Sequence, residues 1–177
     1  MSTIERCELP ANALLRKYSI QGAYTDCYAT EVARSISRAE YVEAFYTTGV
    51  FKLERLILDW LASRPSTDDQ ARQLAAGTRD TFAAWTVEDQ TADQLLLREV
   101  SGRTRSWLMV IATGHGDHAG NTRLYFGSAV VPVVDSRTGK TTLGFNFRAL
   151  LGFHTLYSRV LLHAARSRLL RRHHETG

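Results

Sequence analysis

The chain has 177 residues, 44% hydrophobic and 23% charged, which is enough for one domain at ~150 residues each and close to the globular average. That balance excludes a disordered chain or a coiled-coil rod. Apolar runs of only a few residues, such as 95–97 and 108–112, exclude a spanning helix, which needs ~20. The net charge of +4 divides unevenly, with −2 over residues 1–134 and +6 over residues 135–177, so the basic excess belongs to one terminal segment.

Glu5, Arg6 and Glu8 interrupt the apolar stretch that a secretory signal requires, and the expected compartment is the cytoplasm. Cys7 and Cys27 are too few for a disulfide framework and lack a CxxC partner, so both are expected as buried, inert thiols. After Leu9-Pro10, residues 12–18 suit one or two helical turns. Residues 23–32 are rich in aromatic and β-branched side chains and predict a strand, with Tyr24, Asp26, Tyr28 and Thr30 on one face. Ser37-Arg38-Ala39-Glu40 is a capping box and predicts a helix start. Tyr41, Val42, Phe45 and Tyr46 form its apolar stripe, and Thr47-Thr48-Gly49 ends it. A second helix is expected from Phe51 to Leu61, closed by Pro65, and a third is capped by Ser66–Asp69 and ended by Gly77.

Beyond residue 80 the period changes to two. Strands are predicted at 82–88, 94–100, 106–113 and 123–133, and residues 141–145 are expected to continue the sheet. Short turns join them, so the pairing is antiparallel. A helix of about 35 Å, residues 147–171, completes the chain. Its expected apolar face carries Leu150, Phe153, His154, Tyr157, Val160, Leu161 and Ala164.

This order of strand, helices, antiparallel meander and long terminal helix resembles the START-like (SRPBCC) helix-grip superfamily. Within it, the chain looks most like a bacterial family of unknown function whose domain is sometimes fused to NAD-dependent epimerase-like proteins. The likeness is carried by Tyr24-Thr25-Asp26-Cys27-Tyr28, Leu124-Tyr125-Phe126-Gly127 and Gly152-Phe153-His154. A cone-shaped NTF2-like domain fits less well, because it normally begins with helices and ends with strands. The resemblance implies an α+β fold: a curved antiparallel sheet of about six strands wrapped around the C-terminal helix, with two to three short helices after the first strand. It implies one domain over residues 1–177, with a short basic tail at about 171–177. It also implies a cavity between sheet and helix for a small apolar or amphipathic ligand. Some members of the superfamily bind without chemistry and others are cyclases or aromatase-like proteins. No catalytic residue carries over.

Candidate cavity residues are Asp26, Tyr28, Trp85, Trp107, Tyr125, His154 and Tyr157. Asp26 alternates with Tyr24 and Tyr28. If that face looks inward, a carboxylate lies among apolar groups, where an ionised acid is costly unless paired; the opposite phase leaves Asp26 solvated. Imidazole is the side chain that ordinarily changes charge near neutral pH, and His154 with Asp26 would make the acid/base pair of a cofactor-free cyclase or hydrolase, the alternative to plain binding. Aromatic side chains at these positions usually form core, and in a helix-grip fold core and cavity wall overlap. His115-Gly116-Asp117-His118 has a ligand-like spacing, but it lies in a glycine-rich turn without further ligands nearby, so no metal is expected. Absence of GxGxxG, Walker and GxSxG motifs argues against nucleotide cofactors and a nucleophile elbow. The terminal arginines suit a helix C-terminus and lack the interleaved aromatics of a single-strand binder. No nucleic-acid partner is expected; a protein- or surface-interaction role for the basic end is a second alternative.

Overall fold

A computed structural model describes residues 3–51, 66–113, 120–134, 141–142 and 147–174, with side chains described at 3–51, 66–113, 120–132 and 156–171. The chain is α+β. Its strands are β1 (Glu5–Arg6), β2 (Tyr24–Val32), β3 (Thr81–Phe82), β4 (Trp85–Gln90), β5 (Gln94–Glu99), β6 (Thr104–Thr113), β7 (Asn121–Val130), β8 (Val133–Val134) and β9 (Thr141–Thr142). The first seven form one open antiparallel sheet in the order β1-β2-β7-β6-β5-β4-β3, and β8 and β9 pair separately.

The sheet exceeds the expected six strands because Glu5–Arg6 adds an edge and the 82–88 strand divides. Phe82 pairs with Trp85 across a two-residue turn, where Ala83 takes φ 51° without a glycine. Residues 141–142 do not extend the main sheet; they pair with 133–134 in a two-stranded ribbon. The short N-terminal helix, α1 (Arg16–Ile20), forms later than the expected 12–18.

Helix α2 (Arg38–Tyr46) starts at the capping box: Ser37 Oγ accepts from the Glu40 N–H, and the Glu40 carboxylate accepts from the Ser37 N–H. Helix α3 (Asp68–Ala75) repeats the device with Thr67 and Gln70. Gly77, at φ 72°, then turns the chain while its N–H reaches Leu74 O. A helical turn opens at Gly49–Phe51, and the rest of the expected 51–61 helix lies outside the described residues. The terminal helix α4 spans Phe147–His174.

Strand alternation puts two separate cores on the two sheet faces. Tyr28, Val32, Leu95, Leu97, Leu108, Leu124 and Phe126 face α2, α3 and α4. Cys27, Leu96, Trp107, Met109 and Ala129 face the N-terminal segment, which contributes Ala13, Leu15 and Tyr18. The buried stripe of α4 is Ser158, Leu161, Leu162, Ala165 and Leu169, while Leu156 is 62% exposed and Val160 40%. This rotates the helix from its expected phase. Apolar residues lie around much of its circumference, and Ser158 is small enough to occupy a close contact that apolar periodicity assigns elsewhere.

Candidate functional site

Asp26, Ser128 and Ser106 occupy one row across β2, β7 and β6, as the register pairs Asp26 with Ser128 and Ser128 with Ser106. All three are buried on the helix-facing side, and Asp26 is 3% exposed. Asp26 Oδ1 accepts from the Ser128 N–H at 3.0 Å and from its hydroxyl at 2.7 Å. Ser106 Oγ shares a hydrogen bond of 3.2 Å with Tyr46 Oη, which α2 brings down onto the sheet. The row therefore places one carboxylate and three hydroxyls within an aromatic wall. In that wall Phe45 lies 4.9 Å from Phe126, and Tyr46 lies 4.8 Å from Phe51 and 5.6 Å from Phe82, between ring centroids. Solvated and inward placements of Asp26 are both open from the sequence; the structure takes the inward one, with Asp26 buried on the face that Tyr28 presents to the helices.

Tyr28 sits one row further along, 2% exposed. Its hydroxyl is fully buried and meets no hydrogen-bond partner among the described residues, and the same holds for Trp85 Nε1. Trp85 and Tyr157 are partly buried against this same core. By contrast, Tyr41, also on α2, satisfies its hydroxyl on Tyr125 O at 3.1 Å, and its burial, with Tyr46 and Cys27 nearby, raises it well above the usual tyrosine range.

Trp107 and Tyr125 lie on the face opposite Asp26 and Tyr28, because odd-numbered residues of β6 and β7 point to the N-terminal segment. Trp107 is fully buried there, and its indole N–H donates to Gln94 Oε1 at 2.9 Å. Gln94 also accepts from the Leu14 N–H and donates to Asn12 O, fastening the N-terminal segment over the sheet. Nearby, Glu88 is held by Lys17, Tyr18 and Arg105, and Arg105 stacks over the Tyr18 ring at 4.7 Å. Burial alone raises the Glu88 carboxyl, but the Lys17 and Tyr18 hydrogen bonds and the cationic neighbours outweigh it, leaving it below the usual range.

A groove of about 320 Å³ opens beside this segment, lined by residues that include Arg6, Cys7, Leu9, Arg16, Ile20 and Cys27. Its two thiols, unpaired in sequence terms, face each other across β1 and β2, which sequence spacing did not signal. Nor did it signal the Gln94 and Glu88 clasps. Gln94 leaves the trace of a polar residue opening the apolar run 95–97, whereas Glu88 sits in a strand that is already largely polar.

His154 lies within α4, but its side chain is outside the described residues, as are His115 and His118, and the Asp26–His154 pairing therefore also lies outside the described residues. The basic end of α4 docks on the fold: Arg166 Nε donates to Glu31 O at 3.1 Å, and Arg34 donates to Leu169 O at 3.3 Å. Among the described residues no three metal-ligating side chains converge, and no helix is long and apolar enough to cross a membrane. No family model, curated protein or solved structure matches the chain.

Proposed function

We propose that the chain is a START-like binding domain for a small apolar or amphipathic molecule, held on the helix-facing side of the sheet without catalysis. The observation that carries this is the pair of buried donors, Tyr28 Oη and Trp85 Nε1, that meet no partner among the described residues on that side. A buried hydroxyl left without a partner costs ~1–3 kcal/mol, and most such groups in folded proteins are satisfied. A ligand carbonyl, carboxylate or ether oxygen satisfies such donors, while aromatic rings around Phe45, Phe82 and Phe126 suit its apolar body. Asp26 is tied to Ser128 and serves to order the row beside that oxygen.

Tyr28→Phe tests this with two readouts. The first is affinity for a fluorescent amphiphile carrying an acceptor, anilinonaphthalene sulfonate, and for a medium-chain fatty acid that displaces it. Loss of one hydrogen bond to a carboxylate, ~1.5–3 kcal/mol, should weaken fatty-acid binding roughly 12- to 160-fold. The second is thermal stability without ligand, which should stay level or rise, since the variant removes an unsatisfied group. A clear fall in unliganded stability means the hydroxyl already has a protein partner, and unchanged affinity means it meets no ligand; either result defeats the proposal.

A further inference from the structure

The antiparallel register of β1 and β2 pairs Glu5 with Ala29 and Arg6 with Tyr28. One residue further, the Cys7 N–H donates to Cys27 O at 3.0 Å, so the two cysteines are directly opposite. Hydrogen-bonded antiparallel partners have Cα atoms ~5.5 Å apart, inside the ~4.4–6.8 Å span of disulfides. Their sulfurs share a hydrogen bond of 3.3 Å, and both are free thiols. A bond forms once the sulfurs close by roughly 1.2 Å, a distance that side-chain rotation covers while the backbone pairing stays in place. The two side chains are unequal. Cys27 is buried and Cys7 only partly so, and both line the groove beside β1.

We propose that Cys7 and Cys27 are an oxidation site, in which a hydroperoxide entering the groove oxidises Cys7 and Cys27 resolves it to an intrachain disulfide. The Cys7 thiolate attacks the outer oxygen of the hydroperoxide. The O–O bond breaks, the alkoxide or hydroxide leaves and takes a proton from water, and Cys7 becomes a sulfenic acid. Cys27 sulfur then attacks Cys7 sulfur, the S–O bond breaks, and the departing hydroxide takes the Cys27 proton as water. In balance, two thiols and one hydroperoxide give one disulfide, one alcohol or water, and one water; the sulfurs lose two electrons and the peroxide gains them. A dithiol reductant reverses the change.

The division of roles follows the surroundings. The Cys27 hydrogen bond lowers the Cys7 thiol against the opposing effect of burial, with a further contribution from the Arg123 charge. The same hydrogen bond and burial raise Cys27. Cys7 therefore ionises first and sits nearer solvent, as a peroxide-reactive sulfur requires. The product closes a loop from residue 7 to residue 27, fixing the segment that carries α1 to the sheet.

The test uses the reduced full chain and one equivalent of hydrogen peroxide. Both free thiols should disappear together, intact mass should fall by two hydrogens, and a peptide map should join the Cys7 and Cys27 peptides. Melting temperature should rise by on the order of 6–12 °C, the loop-closure expectation for a ring of this size, and dithiothreitol should reverse it. In Cys27→Ser, dimedone should trap a sulfenic acid on Cys7. In Cys7→Ser, Cys27 should react at least tenfold more slowly. Persistence of both thiols, oxidation to an intermolecular dimer, or equal rates in the two single variants would overturn the proposal. The wild-type thiol count stands even if a variant folds poorly.

Discussion

Gly127 is where a single methyl group has the most to disturb. It pairs with Cys27 on one side and Trp107 on the other, at the centre of the sheet. A Cβ there would lie 2.8 Å from Asp26 O, 2.9 Å from Trp107 Cε3 and 3.0 Å from Leu15 Cδ2. None of these neighbours yields easily. Asp26 O belongs to the backbone of a strand paired on both sides, the indole is anchored to Gln94, and Leu15 is fully buried. Overpacking of this kind costs ~1–3 kcal/mol, and three close contacts place Gly127→Ala in the upper half of that range. At ~2–4 °C per kcal/mol for a chain of this length, the melting temperature should fall by roughly 4–12 °C. Circular dichroism melts and urea titration measure it, with near-ultraviolet dichroism reporting whether Trp107 shifts. Gly49 is the control: it has an ordinary φ and open space around its Cα, so Gly49→Ala should be neutral or slightly stabilising. If both variants melt within about a degree of wild type, the close approach of β6, β7 and the N-terminal segment is not as described.

Two further outcomes concern the segment over the outer face. Gln94→Leu leaves the Trp107 indole N–H and the Leu14 N–H without their acceptor and Asn12 O without its donor. With ~1–3 kcal/mol for the buried indole and less for the two backbone groups, the loss should be about 2–4 kcal/mol. Urea unfolding reads it, and amide exchange at Leu14 should accelerate; stability within the error of wild type would contradict the anchoring role. Glu88 has its carboxyl lowered in the fold, so its stabilisation is present above the unfolded value of ~4.3 and fades as pH falls through the folded value below it. The stability gap between wild type and Glu88→Gln should therefore be constant from neutrality to about pH 5 and shrink below about pH 4. A gap that persists unchanged into acid would show that Glu88 acts through shape and not charge.

Much of the architecture was legible because local signals agreed with the fold. The capping box at Ser37–Glu40, the cap within Ser66–Asp69, the alternation in 23–32 and the turns between strands each have a mechanism that tertiary packing reinforces. The divided strand at 82–85 was hidden because Ala83 adopts a left-handed conformation that composition assigns to glycine or asparagine. The covered outer face did leave a trace: Leu95, Leu96 and Leu97 are all buried, an unbroken run that a half-solvated strand would not need. What covers it was not visible, since the polar attachments of residues 12–18 run through side chains distant in sequence, Gln94, Glu88 and Arg105. Asp26 and Tyr28 were singled out by alternation alone. Ser106, Ser128 and Tyr46 were not, because a polar row across three strands depends on register, which one strand's sequence does not contain.

Register also separates the two proposed sites on one strand. Asp26 and Cys27 are consecutive, so their side chains leave β2 on opposite faces, one into the aromatic core under α2 and the other toward β1 and the groove. Between them lies only backbone, and that backbone is fixed: Tyr28 and Ala29 pair with β1 while the whole of β2 pairs with β7. Closing the sulfurs by roughly 1.2 Å requires a turn about the Cys27 side-chain bonds, which the ladder isolates from Asp26 Oδ1 and its two Ser128 contacts. The helix-facing site and the thiol pair therefore differ in face, in chemistry and in the segment that covers them. Oxidation tightens the N-terminal cover and leaves the polar row unmoved.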